Sequence, residues 1–105
     1  MTRRFLTEPE AAAELEDAAV WYESQRAGLG LEFIAAVDAT IERIGRWPLA
    51  AAHVHSVPRE LFVRKAPVGS FPYSVAYLET PDSIRILAFA HDSREPGYWH
   101  TRLTK

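Results

Sequence analysis

Apolar residues recur at three- and four-residue steps through the first half of the chain and at alternate positions through the second. This pattern predicts helices followed by strands. Residues 3–7 form a candidate first strand. Thr7 with Glu10 three residues on reads as a capping box, and Pro9 is tolerated in a first helical turn, where no intrahelical N–H bond is lost. In residues 10–25, Ala11, Leu15, Ala18 and Tyr22 mark one buried helical face, with Trp21 and Tyr22 both expected in the core. Residues 27–30 contain two glycines and break the helix. A second helix is expected over residues 31–46, with Phe33, Val37, Ile41 and Ile44 on its apolar face, stopped by Gly45 and Pro48 and capped by Trp47. After an irregular stretch, residues 59–66, 71–78 and 84–91 read as strands separated by turn-rich segments.

Short connections imply antiparallel neighbours. The simplest registers put Ala66 opposite Phe71 and Leu78 opposite Ile84, and alternate residues then share a face. Leu61, Val63, Ser74, Ala76, Leu78, Ile84, Ile86 and Ala88 form a small apolar side, suited to lie against the helices. The other side shows Phe62, Arg64, Tyr73, Val75, Tyr77, Arg85, Leu87, Phe89 and His91 and is expected to be free, with Arg64, Tyr73 and Phe89 in one cross-strand row. Arg85 lies roughly 20 Å along the strand from His91 and cannot share a small site with it. The expected architecture is α+β, a single domain over residues 1–105. An N-terminal helical hairpin packs on one face of a three- to four-stranded antiparallel sheet, with a short C-terminal helix or turn.

With 105 residues, 48% of them apolar and 25% charged, the composition suits one ordered core. The absence of cysteine excludes disulfides, thiolate metal sites and cysteine nucleophiles. The first residues lack the apolar run of a signal peptide, and no segment approaches the roughly 20 apolar residues needed to span a bilayer. A cytoplasmic location without membrane association is therefore expected. The net charge of −2 is unevenly spread: residues 1–50 hold nine acids and five bases, residues 51–105 five acids and seven bases. An acidic chain is poorly suited to sequence-blind nucleic-acid binding, which relies on many Lys and Arg contacts.

The densest candidate chemistry follows the last strand, where His91, Arg94, Tyr98 and Trp99 crowd one strand exit. His91 is a candidate acid or base, Arg64 and Arg94 are candidate phosphate clamps, and Tyr73 or Tyr98 a candidate stacking or proton-donating group. The competing expectation is structural: His91 hydrogen-bonded to its surroundings, Arg94 paired with Asp92 or Glu95, and Trp99 folded back over the core edge. His53 and His55 have no third ligand at a familiar spacing, so neither a metal site nor any other cofactor is expected. Glycine-rich phosphate loops and Ser-His-Asp arrangements are absent.

These residues carry a resemblance. Ala18-Ala19-Val20-Trp21-Tyr22, the helix from Gly30 to Trp47-Pro48, Phe71-Pro72-Tyr73, Ala88-Phe89-Ala90-His91 and Arg94-Glu95-Pro96-Gly97-Tyr98-Trp99 occur in the order of the RelE/ParE superfamily of type II toxins, nearly throughout the chain. The sequence is most similar to the ParE-like, plasmid-stabilisation branch. The resemblance implies a growth-inhibiting toxin that poisons DNA gyrase and is silenced by a cognate antitoxin. The antitoxin's C-terminal segment, acidic and partly disordered, is expected to fold on the toxin, and DNA is met only through it. Relatives that cut messenger RNA at the ribosome offer an alternative, a metal-independent endoribonuclease using Arg64, Tyr73, His91 and Arg94. A non-toxic relative that keeps antitoxin binding is a third. The expected target- or antitoxin-binding residues are Phe62, Arg64, Tyr73, Phe89, His91, Arg94 and Tyr98. Ser70 stands before Phe71-Pro72-Tyr73, where members commonly carry a basic residue, and the chain is acidic where many members are basic. Both differences favour a binding toxin over an RNA-cutting one.

Overall fold

The computed structural model describes residues 4–104. Strand β1 (Arg4–Thr7) leads into helix α1 (Pro9–Gln25) and helix α2 (Leu29–Arg46). A two-residue strand β2 (Ala52–His53) and a 3-10 turn (Arg59–Leu61) precede β3 (Val63–Pro67), β4 (Tyr73–Glu79) and β5 (Ser83–His91). A second 3-10 turn (His100–Thr104) follows. The strands form one sheet in the order β1-β5-β4-β3-β2, antiparallel except for the parallel pairing of β1 with β5. The α+β class and the helical hairpin stand as expected. The sheet is five-stranded and mixed, because β1 pairs with a strand some eighty residues away, a contact that local periodicity does not encode. Residue 3 of the expected first strand lies outside the described residues. No helix among the described residues is long and apolar enough to cross a membrane.

Both helices bury the expected stripes: Ala11, Ala18 and Tyr22 on α1, and Phe33, Val37 and Ile44 on α2. Burying each large side chain fully contributes roughly 1.5–3 kcal/mol. Trp21 is the exception, 57% exposed one step off the stripe. The expected capping box does not form. Glu8 is the N-cap of α1 without a side-chain cap bond, while Thr7 stays in β1. The Glu8 carboxylate instead accepts from Arg85 Nε at 2.9 Å. At the start of α2, Gly28 takes a left-handed φ of 89°. The Glu23 carboxylate on α1 accepts from the N–H groups of Gly28 and Gly30, so one helix caps the first turn of the next. Gly30 also permits close helix contact, since a Cβ there would stand 2.7 Å from the Ala19 carbonyl oxygen.

The sheet registers differ from the simple hairpins. The segment expected to begin β3 turns back on itself, with Leu61 N–H donating to the Pro58 carbonyl and Phe62 at a positive φ of 52°. β3 therefore starts at Val63. Ala66 pairs with Val75 and Arg64 with Tyr77, because Val68 is buried in the core and Phe71 packs against it, which lengthens the connection. On the other side Tyr73 pairs with His91 and Val75 with Phe89. Further along, Ala76 faces Ala88 but Tyr77 faces Ile86, leaving Leu87 as the extra residue of a β-bulge.

The helices lie on the face opposite to the expected one: the shift between β3 and β4 is even and keeps their shared sides, while the bulge brings Ile84 and Ile86 to the side of Val75 and Tyr77. Tyr73, Val75, Tyr77, Ile84, Ile86 and Phe89 pack toward the helices, which need bulky partners, whereas Val63, Ala76, Leu87, Ala88 and Ala90 face away. The bulge places Leu87 and Ala88 on one side and carries Phe89 back beneath α1. The second face is not free either. Val54, Val57, Tyr98, Leu103 and the 3% exposed Trp99 cover it, so Trp99 closes the core edge as expected.

β1 ends opposite Ile86, and the rest of β5 would be an open sheet edge. Glu14 and Arg102 close it. Glu14 Oε1 accepts from the Phe89 N–H at 3.2 Å and from Arg102 Nη1 at 2.9 Å. Glu14 Oε2 accepts from Tyr98 Oη at 2.6 Å and from Arg102 Nη2 at 3.0 Å. Arg102 Nη1 also donates to the Leu87 carbonyl at 2.8 Å. The Glu14 and Arg102 side chains are 17% and 12% exposed, so removing one partner strands a buried charge. Glu14→Ala is expected to cost about 3–5 kcal/mol in urea unfolding, and Arg102→Met in the same chain to recover part of that loss, since no unpaired charge remains. A change within about 0.5 kcal/mol for Glu14→Ala would show the clamp to be dispensable.

Candidate functional site

The register places Tyr73, at the start of β4, directly across from His91, at the end of β5. Their rings meet edge to face at 5.0 Å, and Tyr73 also packs edge to face on Phe33 at 5.1 Å. His91 Nδ1 accepts from the Ser93 N–H at 3.0 Å, with Ser93 Oγ 2.7 Å away. The neutral ring therefore carries its proton on Nε2. His91 is thus hydrogen-bonded to its surroundings as the structural expectation had it, through a backbone group, while the neighbouring Asp92 accepts from Ser74 Oγ at 3.0 Å. The Arg94 N–H donates to the His91 carbonyl, and its guanidinium stacks 3.8 Å from the centre of the Tyr98 ring. Gly97, at φ 79°, turns the chain so that Tyr98 and Trp99 return to the sheet, and a Cβ at Gly97 would collide with the His100 ring.

Two concave surfaces share this strand exit. One, of 260 Å³, runs between α1 and the end of β5, with Asp17, Trp21, Tyr73, Phe89, His91, Arg94 and Tyr98 among its walls. The other, of 410 Å³, lies on the far face of the sheet and includes Lys65, Ser74, His91, Asp92, Arg94, Glu95 and Trp99. Of the seven residues expected from the sequence, Tyr73, Phe89, His91, Arg94 and Tyr98 come together. Arg64 does not. It pairs with Tyr77, four residues or roughly 13 Å along β4 from Tyr73, and donates to the Ala51 carbonyl at 2.7 Å. Phe62 lies at the opposite end of β4, where its carbonyl accepts from the Glu79 N–H. The expected row of Arg64, Tyr73 and Phe89 is thus corrected: the longer β3–β4 connection sets Arg64 four residues along β4 from Tyr73, and the β4–β5 register puts His91, not Phe89, opposite Tyr73.

Glu14 and Lys65 enter this region without having been singled out in the sequence, and Trp21 enters it although it was expected in the core. Glu14 did carry a signal, since it occupies the apolar stripe between Ala11 and Ala18. Trp21 carried a misleading one, being next to the buried Tyr22. Trp47 closes α2 as expected, 61% exposed. The His53 and His55 rings lie 6.2 Å apart, and the described residues contain no group of three side chains able to hold a metal ion.

The chemistry of the smaller groove is set by aromatic groups and one histidine, while His53 and His55 join His91 in the walls of the larger. Arg102 is neutralised by Glu14, and Arg94 stands over the Tyr98 ring. All four tyrosines are held above the ordinary phenol range. Burial raises Tyr22 and Tyr73, with the like-signed neighbours Tyr73 and Glu14 respectively adding to it. Tyr77 is pushed by burial from 10.0 to about 12, against the opposing field of Arg64. Burial and the hydrogen bond to Glu14 raise Tyr98 strongly. A group whose folded-state pKa is raised stabilises the fold fully below its unfolded value and loses that contribution as pH rises through the folded value. Stability is therefore expected to fall with pH above 10.0, Tyr77 contributing its loss up to about 12. Denaturant unfolding from pH 8 to 12 beside phenolate absorbance checks this. Ordinary tyrosine ionisation near pH 10 with the fold intact would contradict it.

No family model matches the sequence, and no curated protein matches it. Among solved structures, a chain of the chromosomal ParDE TA system from P. aeruginosa has a TM-score of 0.63 at 19% sequence identity, over 86% of this chain and 96% of that chain. The chain therefore has a ParE-like fold, the fold that the RelE/ParE resemblance of its sequence implies.

Proposed function

We propose that this chain is the toxin component of a type II toxin–antitoxin system, that it arrests growth by binding DNA gyrase, and that a cognate antitoxin neutralises it. The observation that carries this reading is the fold shared over 96% of a chain from a ParDE system. The arrangement of the strand exit favours binding over catalysis. Arg64 is remote from Tyr73 and His91, Arg94 is stacked on Tyr98, and Glu14 neutralises Arg102. Tyr73, Phe89, His91, Arg94 and Tyr98 are the proposed contact residues. The antitoxin's C-terminal segment folds on this region, and DNA is reached only through the antitoxin.

One observation supports the ribonuclease reading as an alternative: Lys65, His91 and Arg94 share the 410 Å³ groove, with the His91 proton on Nε2. Asp92 and Glu95 in the same walls oppose a phosphate there. Induction of the chain in a bacterial host is expected to stop growth, and co-expression of the neighbouring gene to restore it. The purified protein is expected to abolish supercoiling by gyrase while leaving messenger RNA intact on programmed ribosomes. New RNA ends that vanish in His91→Ala would instead establish the ribonuclease, and unimpaired growth would leave a non-toxic antitoxin-binding relative.

A further inference from the structure

Helix α1 carries five carboxylates and no base. Its outer face also leaves Val20 65% and Trp21 57% exposed, an unusual use of tryptophan on a solvent-facing turn. Trp21 forms one wall of the 260 Å³ groove, Tyr98 another, and the Asp17 carboxylate stands at its side. Guanidinium groups of the chain itself already stand over the Tyr98 ring, Arg94 at 3.8 Å and Arg102, paired with Glu14, at 5.3 Å from its centre. Aromatic faces attract cations, arginine above all, and a nearby carboxylate supplies the counter-charge.

We propose that this groove receives an arginine side chain from a segment of a partner protein. The guanidinium enters between Trp21 and Tyr98 beside Asp17, and an apolar neighbour in the same segment covers Val20. The inference rests on reading the strand exit as a protein-binding surface, and it adds the chemistry of what binds there. It also reverses the charge that the sequence suggested for the partner, because the wall formed by α1 is acidic. An acidic peptide meets repulsion from Asp17, whereas an exposed tryptophan beside a charge is the kind of anchor that dominates protein interfaces. Arg94 acts as an internal competitor for the Tyr98 face.

The test uses the full chain and two blocked ten-residue peptides of leucine, alanine and arginine, or of leucine, alanine and glutamate, titrated by calorimetry at low salt. The arginine peptide is expected to bind and the glutamate peptide not. Trp21→Ala and Asp17→Asn, both at exposed positions and checked for unchanged melting, are each expected to weaken binding about fivefold. Arg94→Ala is expected to tighten it, which a purely structural role for Arg94 does not explain. Equal affinity for both peptides, no binding at millimolar concentration, or indifference to Trp21 and Asp17 would each overturn the proposal. Capture of the antitoxin is scored separately. Antitoxin binding with no arginine preference removes this inference alone, whereas loss of antitoxin binding removes the reading beneath it.

Discussion

A single carboxylate on the buried stripe of the first helix organises the end of the sheet. Glu14 accepts hydrogen bonds from the backbone of β5, from Tyr98 and from both terminal nitrogens of Arg102. Burying that carboxylate is costly, and it is offset only because every oxygen is used and the countercharge is held in place. The arrangement exists because β1 stops opposite Ile86 and the bulge at Leu87 turns the next backbone groups toward the uncovered edge. Secondary structure alone leaves those groups unpaired. Glu14 and Arg102 supply from side chains what a longer β1 would have supplied from backbone.

The same interaction determines what the strand exit offers to other molecules. The bulge swings Phe89 beneath α1, and the Tyr98 bond draws the C-terminal turn against the helix. His91, Arg94 and Tyr98 are thereby fixed beside Trp21 on a rigid support. The result is an aromatic surface in which one arginine is neutralised and another stacked. Such a surface is better suited to gripping a side chain than to stabilising a pentavalent phosphate, which calls for converging free cations.

The helical hairpin was legible because its stripes at Ala11, Ala18, Tyr22, Phe33, Val37 and Ile44 are strict and local. The strand exit was legible in part, since His91, Arg94 and Tyr98 are close in sequence and must be close in space. The faces of the sheet were not. The extra Leu87 brings Ile84 and Ile86 to the side of Tyr77, and the connection lengthened by a buried Val68 slides Arg64 along β4; neither event leaves a mark in an alternating pattern. Arg64 was misplaced for that reason alone. Glu14 could have been found by asking why an acid interrupts an apolar stripe, whereas the pairing of β1 with β5 lies beyond any local window. Trp21 misled because aromatics usually mark a core, and here the helix turns one of two adjacent rings outward.

The most direct measurement of this arrangement is the hydrogen exchange rate of the Phe89 amide in the free protein. If Glu14 closes the sheet edge, that amide exchanges as slowly as the strand-paired amides of β4 and accelerates in Glu14→Ala. An amide that already exchanges in the wild type like an open edge would contradict the clamp, and with it the fixed geometry of the strand exit.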